Sequence, residues 1–345
     1  MQYSSLQKYL FFLIPAVISC QHSSTISRPD VSNIDINVKI ERFDQELAAL
    51  QPQDILTKNT EWQRQYGYFY EDYMTRILEV GSPKDSLYLQ QILTQVIQKK
   101  DFKDLSAAVL KRYPNMQPYE KDLIKALKYL KYYFPDYKTP RFITFVGGFS
   151  VQTPVGNDYV GIGLDMFLGA DSEFYPALIK SIPLYISRRF TPENIVPRVI
   201  EAILREDIYP QQDGDVNTLA HMVYNGKILY AMDCLLENVS DENKIGYTAK
   251  QIKWARQYQQ DVWAWFIQEN ILYNTDYLRI QKFFTEAPFT PELGENNESA
   301  PKLGSYIGWM MVRKYMEKHP EMGLKELFTH EDAQKILEES KFKGK

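Results

Sequence analysis

Polar side chains that could do chemistry recur at helical spacing along residues 193–207. Arg198, Glu201 and Arg205 lie three and four residues apart, on the face opposite a row of branched apolar residues. A carboxylate in this position could act as a general base. At this spacing it more often pairs with the arginine four residues on, an interaction worth roughly 0.2–0.5 kcal/mol. We therefore expect a solvent-facing Glu201–Arg205 pair, with catalysis by Glu201 as the alternative.

A second polar group follows on a predicted helix over residues 217–236. His221 and Asn225 are four residues apart and share one face, where a hydrogen bond between them at a buried edge is the simpler interpretation. Gly226 comes next, and glycine inside a helix costs about 1 kcal/mol relative to alanine. Such a glycine indicates that another backbone packs against it, and we expect that neighbour to be the helix of residues 193–207.

The alternative interpretation of this segment is a polar cleft above the glycine. The expected lining residues are Arg205, Asn225, Gly226, Lys227 and Trp254. The catalytic candidates in such a cleft are Glu201, His221 and Asp233.

Motifs of several enzyme classes are missing from the sequence. None of the four histidines is paired at i, i+4, so there is no HExxH zinc site. The chain also has no glycine-rich phosphate loop ending in Gly-Lys and no GxSxG elbow for a nucleophilic serine. We therefore expect no metal, no cofactor and a protein that is not an enzyme.

The N-terminus predicts export and lipidation. Lys8 precedes an apolar run over residues 9–17 that is too short to span a bilayer as a stable helix. The VISC tetrapeptide that follows resembles a bacterial lipobox, with Cys20 as the lipidated residue. The alternative is an ordinary secretory signal with a chance cysteine. We expect residues 1–19 to be a signal peptide and residues 20–33 to be a flexible, polar tether.

The remaining residues, 34–345, predict a single, mainly helical domain. Alternating apolar side chains between Ile34 and Ile40 indicate an opening strand. Two runs rich in β-formers, residues 142–146 and 159–164, are separated by turn residues and indicate a hairpin or small sheet. Helical periodicity dominates elsewhere, so the predicted fold class is mainly α with a small β-hairpin or sheet (α+β).

The net charge and the cysteine content bear on which binding partners and which disulfides to expect. The formal net charge is −4, which gives no reason to expect nucleic acid as a partner. The chain has two cysteines, so lipidation of Cys20 leaves Cys234 without a partner for an internal disulfide. Cys234 lies in an apolar helical run, which predicts a buried, inert thiol.

Six segments together resemble the gliding motility lipoprotein family GldB of the Bacteroidetes. They are residues 36–43, 141–149, 159–164, 221–233, 245–254 and 304–315. The NGKILYAMD and YIGWMMVRKY runs are the most specific parts. The resemblance implies a lipoprotein of the cell envelope that the gliding machinery requires, without an established enzymatic activity. With the lipobox, it implies a lipid anchor, which we expect to lie in the outer membrane. Residues 21–24 lack the acidic cluster that resembles a surface-export signal in this phylum, so we expect the domain to face the periplasm.

A fainter similarity is to predicted zinc proteases of the gluzincin kind. In that group one helix carries HExxH and the next carries the third ligand beside a glycine. If Glu201 matches the motif glutamate, Ile200 and Leu204 stand at the histidine positions. Asn225 stands before Gly226, where the ligand would be. Ile, Leu and Asn cannot supply a zinc set, so the similarity implies a degenerate zincin-like architecture without its metal.

Three functions remain open from the sequence. The first is a non-enzymatic envelope lipoprotein that binds or stabilises other proteins of the gliding or secretion apparatus. The second is an envelope hydrolase that works without zinc through Glu201, His221 or Asp233. The third is a carrier of a peptide or glycan in a cleft under the long polar loop of residues 287–304.

Overall fold

The computed structural model describes residues 28–211, 216–293 and 297–345. The predicted signal peptide and the lipidation site Cys20 lie outside the described residues. Within those ranges the chain forms sixteen α-helices and three short strands, which confirms the predicted class of a mainly helical protein with a small sheet.

The strands are β1 (Ile40–Arg42), β2 (Arg141–Phe145) and β3 (Tyr159–Gly163). The helices before β2 are α1 (Phe43–Ala49), α2 (Ile55–Tyr66), α3 (Tyr68–Asp72), α4 (Ser86–Gln98), α5 (Lys100–Arg112) and α6 (Gln117–Tyr133). Those after β3 are α7 (Leu184–Ser187), α8 (Ile195–Ile203), α9 (Thr218–Leu235), α10 (Asp241–Ile245), α11 (Ala249–Gln257), α12 (Gln259–Gln268), α13 (Tyr277–Ile280), α14 (Leu303–Lys318), α15 (Leu324–Thr329) and α16 (Ala333–Ser340). π-helical turns over Tyr73–Ile77 and Leu204–Ile208 extend α3 and α8.

The three strands form one parallel sheet in the order β1-β2-β3. The predicted strand over residues 34–40 was wrong in position, because strand pairing begins only at Ile40. The alternation of that segment reflects packing on helices instead. Val38 is buried, Ile36 packs against the helical core, and the amide of Ile40 donates to Glu120 of α6 at 2.8 Å.

Of the two alternatives predicted for residues 142–164, the small sheet is confirmed, and the hairpin is excluded because β2 and β3 are parallel. The chain reverses twice between them. It first leaves β2 and runs back along residues 152–156, where the amides of Gly161 and Gly163 donate to the carbonyls of Pro154 and Gln152 at 2.8 and 2.9 Å. It then turns again into β3. The turn-rich segment therefore forms the antiparallel partner of β3, and β2 lies on the other side.

The sheet separates two apolar cores. Side chains of alternate strand residues point to opposite faces. On β2, Phe142 belongs to the larger core, which contains α9 and α14, whereas Ile143 and Phe145 belong to an aromatic core around Phe43. Burial on both faces is typical of parallel strands.

Two long helices, α9 and α14, cross at backbone distance in the larger core. A Cβ built on Gly226 would lie 2.3 Å from the carbonyl oxygen of Gly308, and one built on Gly308 would lie 1.8 Å from that of Met222. The prediction that a backbone packs against Gly226 is confirmed. The predicted neighbour was wrong, since α14 rather than the helix of residues 193–207 makes this contact. Glycines on both helices allow it.

The described end of the predicted tether packs against the domain. The Arg28 guanidinium donates to the backbone carbonyl of Asp233 at 2.8 Å, and Val31 contacts the larger core. Residues 28–33 are therefore attached to the helical body near the last turn of α9.

Candidate functional site

A polar cavity of about 130 Å³ lies where α8, α9 and α10 meet the start of α14. Its charged lining residues are Glu201, Arg205, Lys244, Glu286 and Lys302. Its neutral lining residues are Asn225, Leu229, Ile245, Phe284 and Ser305.

The apolar face of α8 directs the polar face into this cavity. Ile200, Ile203 and Leu204 are buried in the larger core, so Glu201 and Arg205 turn toward α9. The predicted Glu201–Arg205 ion pair is confirmed, with Arg205 Nε at 2.9 Å from Glu201 Oε1. The prediction that the pair faces solvent was wrong, because only 19% of the Glu201 side chain and 30% of the Arg205 side chain are exposed.

Glu201 is held ionised between two guanidinium groups. Arg198 forms an ion pair with Oε2 while Arg205 binds Oε1. Burial acts against ionisation of the carboxyl, but the positive charges of Arg198, Arg205 and Lys302 outweigh it and lower the pKa of Glu201 to about 2. A carboxylate with so low a pKa is a weak base at neutral pH and holds no proton to donate.

A second carboxylate, Glu286, enters the cavity from the start of the long polar loop. Lys302, at the other end of that loop, forms an ion pair with Glu286 and donates to the carbonyl of Ile245 at 2.6 Å. Arg189 Nη1 lies 3.0 Å from Glu286 Oε1. Burial lowers the pKa of Lys302 to about 8, although Glu286 opposes this shift.

Lys244, Glu286 and Lys302 line the cavity but were not predicted as members of the site. None of them belongs to a recognisable motif. The one signal was the loop of residues 287–304, because Glu286 directly precedes it and Lys302 lies near its end.

His221 was a catalytic candidate, but it is not among the residues that line the cavity. Its ring packs against Phe284 with centroids 5.3 Å apart, and its Nδ1 lies 3.1 Å from the amide nitrogen of Gln211. Burial lowers its pKa. The predicted side-chain bond between His221 and Asn225 was wrong, because the Asn225 amide donates to the backbone carbonyl of His221 at 2.9 Å.

Asp233, another catalytic candidate, is buried and bound on both oxygens. Lys244 Nζ lies 2.9 Å from Oδ1, the Trp309 indole donates to Oδ2 at 2.8 Å, and Arg313 donates to both oxygens at 2.7 and 2.8 Å. Asp241 is the second carboxylate that binds Arg313. These contacts make Asp233 the centre of a buried ion-pair network that joins α9, α10 and α14.

The family model described as gliding motility protein GldB matches residues 24–344. The chain belongs to the GldB family. This membership connects it with gliding motility and with lipoproteins of the cell envelope. No curated protein and no solved structure matches the chain.

The structure brings together only part of the cleft predicted for this GldB-family protein. Arg205 and Asn225 both line the cavity and are joined by a hydrogen bond of 3.1 Å. Lys227 instead points to Tyr209 and the carbonyl of His330. Trp254 packs on Tyr258, and Gly226 is covered by α14. Cys234 is buried as predicted, and burial raises the pKa of its thiol to about 12.

The residues at the zinc-motif positions do not fit a metal. Ile200 and Leu204 are enclosed in the apolar core, and the Asn225 oxygen accepts from Arg205. Across the described ranges, no group of three or more His, Cys, Asp or Glu side chains is placed to hold a metal ion. In the same part of the GldB-family chain, no helix combines the length and apolar character needed to cross a membrane.

Proposed function

We propose that this GldB-family protein is a non-enzymatic binding component of the gliding machinery. It is attached to the outer membrane through lipid on Cys20, faces the periplasm, and holds part of a partner protein in the cavity. One observation carries the proposal. Glu201, the only one of the three catalytic candidates that lines the cavity, is fixed between Arg198 and Arg205 with its pKa lowered to about 2.

Binding fits these contacts better than hydrolysis does. A general acid or base works best when its pKa is near the working pH, and it must reach the reacting group. Glu201 meets the second condition but not the first. His221 packs on Phe284 outside the cavity lining, and both oxygens of Asp233 are already bound by cations and an indole.

A carrier of a peptide or glycan is the second candidate function. It is supported by the position of the long polar loop, because Glu286, just before the loop, and Lys302, near its end, both line the cavity. A ligand that entered there would contact the base of this loop directly.

Complementation of a gliding strain that lacks its GldB-family gene tests the proposed function. Arg205→Gln removes one positive charge from the cavity wall and should abolish gliding at an unchanged protein level. His221→Gln should preserve gliding, because this ring is not part of the cavity wall. Lys100→Gln, a control at a side chain that is 85% exposed, should behave as wild type.

The opposite pattern would contradict the proposal. Loss of gliding with His221→Gln, together with normal gliding of Arg205→Gln, would favour proton transfer by the histidine. Immunoblots of each strain separate loss of the protein from loss of its function.

A further inference from the structure

Positive charge is in excess around the cavity. Among the described residues, five cationic side chains surround two shared carboxylates, Glu201 and Glu286, which leaves this cluster with a net charge of +3. The five cations are Arg188, Arg189, Arg198, Arg205 and Lys302. Lys244 is not counted with them because Asp233 compensates it.

Several buried donors of this cluster have no acceptor among the residues that the structure describes. They are the Nε atoms of Arg188, Arg189 and Arg198. The Nη1 atom of Arg189 forms an ion pair with Glu286 but no hydrogen bond within the described part of the chain. Oxygen Oε2 of Glu286 is the one buried acceptor of the cluster left without a donor. Donors therefore exceed acceptors, and buried polar groups in folded proteins are normally hydrogen-bonded.

An excess of buried positive charge is unfavourable because water no longer solvates it. The lowered pKa of Lys302 has the same origin. A bound anion in the cavity would offset the excess positive charge. Its direct contacts would be Arg205 and Lys302, which line the cavity, whereas Arg188, Arg189 and Arg198 stand behind the lining. The guanidinium of Arg205, which lines the cavity, has the planar fork that suits a carboxylate.

We infer that the cavity binds a carboxylate group of a peptide partner, from an acidic side chain or a chain terminus. The inference rests on the proposed function and names the chemistry of its ligand. Leu229, Ile245 and Phe284 offer apolar contacts to the stem that carries the carboxylate. The cavity of about 130 Å³ suits one such group, whereas sites for drug-sized ligands measure roughly 300–1,000 Å³.

A carboxylate fits the donors of the cavity better than a phosphate does. Glu201 and Glu286 already occupy donors of Arg205 and Lys302. Few donors therefore remain for a ligand, and the two oxygens of a carboxylate need fewer of them than the oxygens of a phosphate.

Isothermal titration of the full mature protein in detergent tests this inference with four probes. They are acetyl-Ala-Glu-Ala-amide, acetyl-Ala-Ala-Ala with a free C-terminus, acetyl-Ala-Gln-Ala-amide and inorganic phosphate. At least one carboxylate peptide should bind about tenfold more tightly than the neutral glutamine peptide and phosphate, as expected for a charge-assisted contact. The first two probes distinguish a side-chain from a terminal carboxylate.

Variants then locate the binding. Arg205→Gln should weaken binding of the carboxylate peptide by about tenfold or more, and Lys100→Gln should leave it unchanged. If Arg205→Gln does not fold, Lys302→Gln takes its place. Equal binding of the neutral peptide, tighter binding of phosphate, or wild-type affinity in the folded cavity variant would each overturn the inference.

The two proposals can fail separately. If Arg205→Gln abolishes gliding but neither carboxylate peptide binds, the ligand class is wrong and the proposed function stands. If a carboxylate peptide binds but cells with Arg205→Gln glide normally, the cavity binds its ligand without serving gliding.

Discussion

At the scale of single residues, Asp233 is the buried anion on which three helices converge. Lys244, Trp309 and Arg313 all donate to it, and 1% of its side chain is exposed. Removal of one partner from a buried ion pair typically costs about 3–5 kcal/mol, because the opposite charge is left in the interior. The sequence marked Asp233 as a catalytic candidate, whereas its contacts indicate a structural role.

Asp233→Asn should therefore destabilise the protein by about 3–5 kcal/mol. Asp241→Asn is the matched control, because Asp241 also binds Arg313 but 19% of its side chain is exposed. Urea denaturation of both variants should give a clearly lower midpoint for Asp233→Asn. If Asp233→Asn and Asp241→Asn lowered the stability equally, burial of the Asp233 carboxylate would not explain its contribution to stability.

Burial of Lys227 should make the free energy of unfolding depend on pH. Burial lowers its pKa in the folded protein to about 8 from an ordinary value of 10.5. The unfolded chain then binds this proton more tightly, so stability rises as the pH increases from about 7.5 to 9. In Lys227→Met the rise should be smaller by up to about 1 kcal/mol per pH unit.

Urea midpoints at pH 7.5 and 9 measure this effect. The pKa of Lys302 is also lowered, so Lys227→Met should keep part of the increase in stability between pH 7.5 and 9. Lys100→Met, at an exposed position, should match wild type. A slope in Lys227→Met that equals the wild-type slope would contradict the shifted pKa.

At the scale of elements, the close crossing of α9 and α14 rests on Gly226 and Gly308. Because the nearest atoms are backbone atoms of the other helix, a methyl group cannot be accommodated by a change of rotamer. Overpacking in a core typically costs about 1–3 kcal/mol and sometimes more, which exceeds the gain of about 1 kcal/mol in helix propensity.

Gly226→Ala should therefore lower the urea midpoint without a change in m-value. Gly323→Ala is the matched control, since no atom lies within 4 Å of the added carbon there. A raised midpoint for Gly226→Ala would show that the helices can separate at this point.

Local rules predicted much of this arrangement. The helix predicted over residues 217–236 is α9, and the predicted Glu201–Arg205 pair needs only one turn of helix. Apart from the His221–Asn225 bond, the wrong predictions concerned how segments pack against the rest of the fold. The spacing around Gly226 indicates a close neighbour but carries no information about which helix supplies it. The double reversal before β3 likewise depends on where the chain packs after each turn.

The residues of the site divide in the same way into those predicted from local spacing and those placed only by the fold. Glu201, Arg205 and Asn225 were found because they lie at helical spacing on two neighbouring helices. Glu286 and Lys302 reach the cavity from the ends of an irregular loop, where side-chain direction follows no period. Their role could be recognised only after the fold had placed them opposite α8.

At the scale of the whole molecule, a lipid on Cys20 would determine where the protein acts. If Cys20 carries the lipid, Cys20→Ser should abolish incorporation of an alkyne fatty acid and move the protein from the membrane fraction to the soluble fraction. Lys8 and the apolar run remain intact in this variant, so export itself should continue. Labelling of the serine variant would rule out Cys20 as the acylated residue.

The contact between Arg28 and the last turn of α9 limits how far this protein can reach. Seven residues lie between Cys20 and Arg28, so eight residue steps join them, and an extended chain covers at most about 3.3–3.6 Å per residue. If Cys20 carries lipid, Arg28 and the turn of α9 that it contacts stay within about 30 Å of the bilayer surface. A protein held so close to the membrane would meet its partners by lateral diffusion in two dimensions. Those partners would then have to come to the membrane themselves.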